Sequence, residues 1–294
     1  MCILSAMGKA SRKNIAKKAA KVKRAPIPFV ARPFEGLPFE AQLVALRDFI
    51  PSGYLKVKTT KEYGNVEALL VSYLPEGSLG FRRADGVPLV ALRSNANTGD
   101  YSHDAGSVLK ALLELEPGQP LENFDIREAG PKLQEVIETT DAEFAITESF
   151  DFWVEPEKLE DPEVQDALKR AAEEAIPSVQ VPGTESAFWC RMNHDFVRWV
   201  RLEDENKVFD ALARLKVKDE ANLGEGTRFI GAFRTCGLLV PVFEMEERTE
   251  AADLEKGAAE FEKRLQDALK VSESLTDEER RARAGLVSRQ ISLR

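Results

Sequence analysis

The chain has 294 residues, 43% hydrophobic and 31% charged, which suits one large or two ordinary globular domains and excludes collagen, coiled-coil rods and wholesale disorder. Its 41 Lys and Arg against 50 Asp and Glu give a formal charge of −9, unevenly placed. Residues 1–34 carry nine cations and the last fifteen carry five, with no acid in either stretch, so the body between has 27 basic against 50 acidic residues, a net of −23.

From the N-terminus, Gly8 to Arg24 alternates Lys and Arg with Ala, Ser and Asn, and Ile15 and Val22 are its only large apolar residues. Residues 1–25 are therefore expected as a disordered basic tail. Pro26, Pro28, Pro33 and Pro38 space out Phe29, Val30, Phe34 and Phe39, which predicts an extended, anchored arm over 26–38. Leu43, Leu46, Phe49 and Ile50 fall near helical spacing before Pro51 and Gly53. The β-formers of 55–58, 66–74, 79–83 and 87–93, with Asp85-Gly86 between the last two, predict an antiparallel sheet with a hairpin. Helices are expected over 105–115 and 131–137, and the alternation of Phe150, Phe152 and Val154 suggests a strand over 148–154.

Pro156, Pro162, Pro177 and Pro182 mark 156–186 as a helical junction after an N-terminal sub-domain over 39–155. A second sub-domain over 187–246 is expected to hold a hairpin across Asn193-His194-Asp195, a helix over 203–215 and two strands meeting at Thr235-Cys236-Gly237. The segment 247–294 reads as helical: Leu254, Ala258, Phe261, Leu265 and Leu269 form one stripe over Glu250–Val271, able to dock on the body or on a protein partner. Thr276 with Glu279 has the capping-box spacing of a further, exposed basic helix. The fold class is α+β, with two mixed sub-domains of antiparallel hairpins and packed helices.

Cys2, Cys190 and Cys236 lack paired spacing, so neither a disulfide framework nor a zinc site is signalled, and a reducing, cytoplasmic location is expected. No run is apolar enough for a membrane span. Asp100, His103 and Asp104 make an under-supplied metal site, with Asp104 expected as the cap of the helix that follows. Ser102, His103 and Asp104 are no triad, because adjacent side chains do not converge as nucleophile, base and orienter. His194 reads as a turn residue, and Cys190 and Cys236 as small buried apolar groups. The Gly224-Glu225-Gly226-Thr227 loop lacks the third glycine and the lysine of a nucleotide-binding loop. No catalytic residue, cofactor or metal is indicated.

The run Arg32-Pro33-Phe34-Glu35-Gly36-Leu37-Pro38, then Val44-Ala45-Leu46-Arg47, the stretch Phe229 to Val242 and the closing Glu279 to Leu286 together resemble an uncharacterised actinobacterial family. Its members are often labelled as related to the preprotein translocase SecA, because some carry a cysteine-rich SEC-C zinc segment just before the Arg-Pro-Phe run. Here 8–31 contain lysines and no cysteine, and no Walker-type loop supports an ATPase. Zinc segments of that kind are associated with ribosomes or nucleic acid, so the resemblance implies a similar contact at the same place.

Local positive charge attracts a polyanion whatever the total. The sequence thus points to a non-enzymatic RNA- or ribosome-associated binding protein. Lys9, Arg12, Lys13, Lys17, Lys18, Lys21, Lys23 and Arg24 are the expected phosphate contacts, with Arg280, Arg281 and Arg283 a second set. An enzyme acting on a small molecule between the two sub-domains, or a protein-binding adaptor, is the alternative.

Overall fold

The computed structural model describes residues 26–288 and the strand residues 291–292; the basic segment with Lys9, Arg12, Lys13, Lys17, Lys18, Lys21, Lys23 and Arg24 lies outside the described residues. In the first half, helix α1 (Glu40–Asp48) precedes strands β1 (Gly53–Lys58), β2 (Glu67–Tyr73), β3 (Gly80–Arg82), β4 (Pro88–Arg93) and β5 (Glu143–Ile146), which form one sheet in the order β3-β4-β2-β1-β5. Period-2 alternation puts Leu55, Val57, Leu70, Val90 and Leu92 on a face shared with α1 and helix α2 (Tyr101–Leu113). Leu69, Val71, Leu89 and Ala91 go to the opposite face.

Three expectations change here. The sheet is not wholly antiparallel: β3 forms the predicted hairpin with β4, but its three residues stay at the edge, and β4 pairs in parallel with β2. Nor are 148–154 a strand: the strand is β5, and 151–153 form a single 3-10 turn. That turn brings Phe150, Phe152 and Trp153 onto the outer face of the sheet, with Leu168 of helix α4 (Pro162–Glu174). Trp153 Nε1 donates to the Tyr73 carbonyl at 3.0 Å, so aromatic packing and not strand pairing explains the alternation. The segment expected as a helix over 131–137 shortens to one turn, α3 (Leu133–Val136).

The second half has strands β6 (Ser178–Gln180), β7 (Ala187–Arg191), β8 (Asp195–Trp199), β9 (Thr227–Thr235), β10 (Leu238–Met245) and β11 (Ile291–Ser292), in the order β11-β9-β10-β8-β7-β6. Pairing is antiparallel except for β11, which runs parallel to β9. Helices α5 (Glu205–Val217) and α6 (Glu255–Leu269) cover one face: Phe209, Leu212, Phe261 and Leu265 pack on Trp189, Trp199, Leu239 and Phe243. The stripe read over 250–271 is therefore buried against the body, after a 3-10 turn at Ala251–Leu254, and is not free for a protein partner. Helix α7 (Asp277–Ser288) starts with the predicted capping box, Glu279 N–H to Thr276 Oγ1 at 3.2 Å and Thr276 N–H to Glu279 Oε2 at 2.7 Å. It is not wholly exposed, because Leu286 is buried in the same cluster.

The other face of the second sheet, with Phe188, Val200, Leu238 and Val240, shares a core cluster with the first sheet. Helix α1 lies between them. Leu43, Val44, Ala45 and Leu46 have no exposed surface, while Gln42 donates to the Glu185 carbonyl at 3.1 Å and Phe49 meets Phe188 and Phe233. Four consecutive apolar residues sweep nearly a full helical turn, so this stretch of α1 belongs in such an interior. The arm is anchored as expected but is not extended throughout: Glu35, Leu37 and Glu40 donate to carbonyls three residues back, a run of turns that drives Phe34 and Leu37 into the core. Arg32 pairs with buried Glu40 at 2.7 Å. The arm crosses the β9–β10 turn so closely that a Cβ on Gly237 would lie 2.8 Å from the Ala31 carbonyl. With a φ of +73°, that position needs glycine on both counts.

Candidate functional site

Helix α1 ends at Asp48 with Phe49 as its C-cap, and Pro51 blocks its continuation two residues ahead of β1. Asp48 accepts from Arg47 and from Thr235 Oγ1 in the β9–β10 connection, with Cys236 Sγ 3.8 Å away. Its carboxylate is thus committed to holding the two halves together. Beside it a groove of about 690 Å³ opens between the sheets. Phe49, Phe196, Phe233 and Val242 supply apolar wall, Ile176 and Met192 the rim, and Tyr73, Arg93, Glu174 and Arg198 the polar groups.

The two arginines reach the groove from different sheets. Tyr73 and Arg93 are register partners at the ends of parallel β2 and β4, and the Arg93 guanidinium lies 5.3 Å from the Tyr73 ring centroid. Burial pushes the Tyr73 hydroxyl pKa up, with the Arg93 cation opposing it. Arg198 faces Val242 across the β8–β10 ladder and shares a strand face with Phe196. Its guanidinium lies 5.6 Å from the Phe49 ring and donates to Met192 Sδ at 3.3 Å. Among the described residues neither arginine has a carboxylate within ion-pair distance, whereas Arg32, Arg191, Arg201, Arg248 and Arg283 all do.

His103 is buried in the first turn of α2, Nε2 3.0 Å from the Glu128 carbonyl and Nδ1 3.4 Å from Asp104. The helix begins at Tyr101, earlier than expected, so the cap is Asp100, which accepts from the His103 N–H at 3.2 Å. Asp104 instead ties down the preceding loop through the Thr98 N–H and hydroxyl; burial pushes its pKa up against those bonds. No group of three or more metal-ligating side chains occurs among the described residues. No helix among them is long and apolar enough to cross a membrane.

His194 sits exposed in its hairpin turn, as read. Cys190 and Cys236 are both buried; burial pushes both thiols up, Cys236 to about 12 with Asp48 adding to it. In the Gly224 loop, Thr227 Oγ1 accepts from the Leu223 N–H and donates to the Gly224 carbonyl, each at 2.7 Å, which closes a turn ahead of β9.

The C-terminal arginines separate. Arg283 is held by Asp210 of α5 at 2.6 Å, Arg280 pairs with Asp277 in its own helix, and Arg281 is exposed. Sequence reading missed Arg93 and Arg198: each sits in a correctly placed strand, and no spacing signals that residues so far apart converge.

A model of DUF5926, a family of unknown function, matches residues 33–294. The chain belongs to that family. The match begins inside the Arg32–Pro38 run and takes in every residue of the groove, while the basic tail precedes it. No curated protein and no solved structure matches the chain.

Proposed function

We propose that the protein is a non-enzymatic binding protein that engages RNA, foremost the RNA of the ribosome, through its basic N-terminal segment. The observation that carries this is the run of eight cations from Lys9 to Arg24 without an acid, attached to a body of net −23. Most arginines with fixed heads in that body are neutralised by carboxylates, so it presents little positive surface to a polyanion. Flexible lysines and arginines bind phosphates with steep salt dependence and little sequence choice. The acidic body stands off while the segment enters the RNA. Arg280 and Arg281 on α7 add to the contact; Arg283 first serves to hold α7. The resemblance to actinobacterial proteins with a zinc segment ahead of the Arg-Pro-Phe run supports a contact at this place.

The test is sedimentation of the tagged full chain and of a 1–25 deletion through sucrose gradients of lysate, at about 50 mM and about 200 mM salt. The full chain is expected with ribosomal particles at low salt and free at high salt, and the deletion free at both. A deletion variant that still co-sediments overturns the reading. The groove favours a second reading, a small-molecule site between the two halves.

A further inference from the structure

We propose that the groove between the two sheets binds a small organic anion carrying a flat apolar ring, the anionic group held between Arg93 and Arg198 and the ring laid on Phe49, Phe196 and Phe233. The inference deepens the second reading above and rests on it. Its volume of about 690 Å³ is that of small-ligand sites, which are mostly apolar with a few convergent polar groups.

Among the described residues Arg82, Arg170, Arg214 and Arg264 also lack a carboxylate partner but donate to backbone carbonyls; Arg93 and Arg198 do neither, and both line the same groove. Each lies over an aromatic ring at cation–π distance, Arg93 at 5.3 Å from Tyr73 and Arg198 at 5.6 Å from Phe49, a contact that attracts the cation without neutralising it. A guanidinium so held keeps its N–H donors for a carboxylate or phosphate, apart from the one that Arg198 gives to the weak acceptor Met192 Sδ, and its fork geometry suits bidentate contact. The remaining carboxylates at the groove do not compete: Asp48 is taken by Arg47 and Thr235, and Glu174 lies exposed at the end of α4, outside ion-pair distance. The net negative body repels anions only weakly at this range, since charges beyond about 8 Å are screened at physiological salt. Exposed Ile176 and Met192 extend the apolar surface to the rim, where a ring would cover it.

The test is calorimetric titration of the full chain with four probes: AMP and indole-3-acetate, which join an anion to a flat ring; adenosine, the ring without the anion; and inorganic phosphate, the anion without the ring. AMP or indole-3-acetate is expected to bind with a Kd of about 1 mM or tighter, and adenosine and phosphate at least about tenfold more weakly. Arg93→Gln and Arg198→Gln are each expected to weaken the ring-anion probe about tenfold, with melting temperature unchanged because neither side chain is in an internal ion pair. Adenosine binding as tightly as AMP overturns the anion assignment and leaves the groove a small-molecule site. Binding unchanged in the Arg93→Gln/Arg198→Gln double variant, or no binding of either ring-anion probe, overturns the groove as the site altogether.

Discussion

Arg283 of α7 donates from Nε to Asp210 Oδ1 of α5 at 2.6 Å and from Nη2 to Asn206 Oδ1 at 2.9 Å, its guanidinium 5.9 Å from the Phe209 ring centroid. A cation that local sequence leaves unopposed is therefore the polar tie between the last helix and the body. Arg281, two residues earlier, faces solvent.

This difference separates structural from partner-binding charge within one short helix. Arg283→Glu places two carboxylates at the contact and is expected to cost about 1–2 kcal/mol, a fall of a few degrees in melting temperature for a domain of this size. RNA affinity of that variant should be little changed. Arg281→Glu should leave the melting temperature in place and flatten the salt dependence of RNA binding by up to about one phosphate. Loss of stability in the Arg281 variant and not in the Arg283 variant would contradict the assignment.

The arm is locked by a second pair. Arg32 donates from Nε and Nη2 to the two oxygens of Glu40, whose side chain is only 4% exposed at the start of α1. Glu40→Ala removes both the bidentate partner and a favourable acid at a helix N-terminus, and it leaves the part-buried guanidinium only the exposed carboxylate of Glu35, at 3.7 Å. The expected loss is about 2–3 kcal/mol. Limited proteolysis should then cut within 26–38, where the wild-type arm resists.

The pH dependence of stability should carry the mark of Asp195. Burial opposes its ionisation, but the Thr249 N–H at 3.0 Å and the guanidinium groups of Arg191 and Arg248 outweigh that and hold its carboxyl below the usual range. A folded pKa below the unfolded one gives stability that is fully present above about pH 4 and is lost as pH falls from there through the folded value. Asp195→Asn should lower the melting temperature at pH 7 and remove part of the acid-side slope. An unchanged slope below pH about 4 would show that other carboxylates dominate it.

Thiol reactivity gives an independent check on the seam between the sheets. With Cys236 pushed to about 12 and Cys190 also raised by burial, neither is ionised at pH 8 in the folded protein. In a Cys2→Ser variant, Ellman's reagent should find no fast-reacting thiol in native buffer and two in guanidinium chloride. A fast native thiol that persists when Cys190 is also replaced by Ser would mean that the β9–β10 connection opens readily.

Much of this molecule is legible without coordinates because the signals are local. The Asp85-Gly86 hairpin, the hairpins β7–β8 and β9–β10, the stripe of α6 and the Thr276–Glu279 capping box depend on contacts within a few residues, and each is where periodicity and turn chemistry put it, whereas β6 and β11 are short edge strands in segments read as helical. The errors have the same origin. Phe150 and Phe152 alternate like a strand, yet a 3-10 turn presents them to one sheet face, since what matters there is the shape of the surface to be covered.

Charge, period and capping along the chain determine an acidic α+β body with a basic segment at its N-terminus, because these are sums over near neighbours. Tertiary packing alone decides which charges remain free. Arg283 is neutralised by a residue 73 positions away, while Arg93 and Arg198, separated by more than 100 positions, line one groove and neither is paired with a carboxylate. Such pairings depend on how two sheets close around α1, and the register of distant strands is set by burial of whole faces rather than by any residue's sequence neighbours.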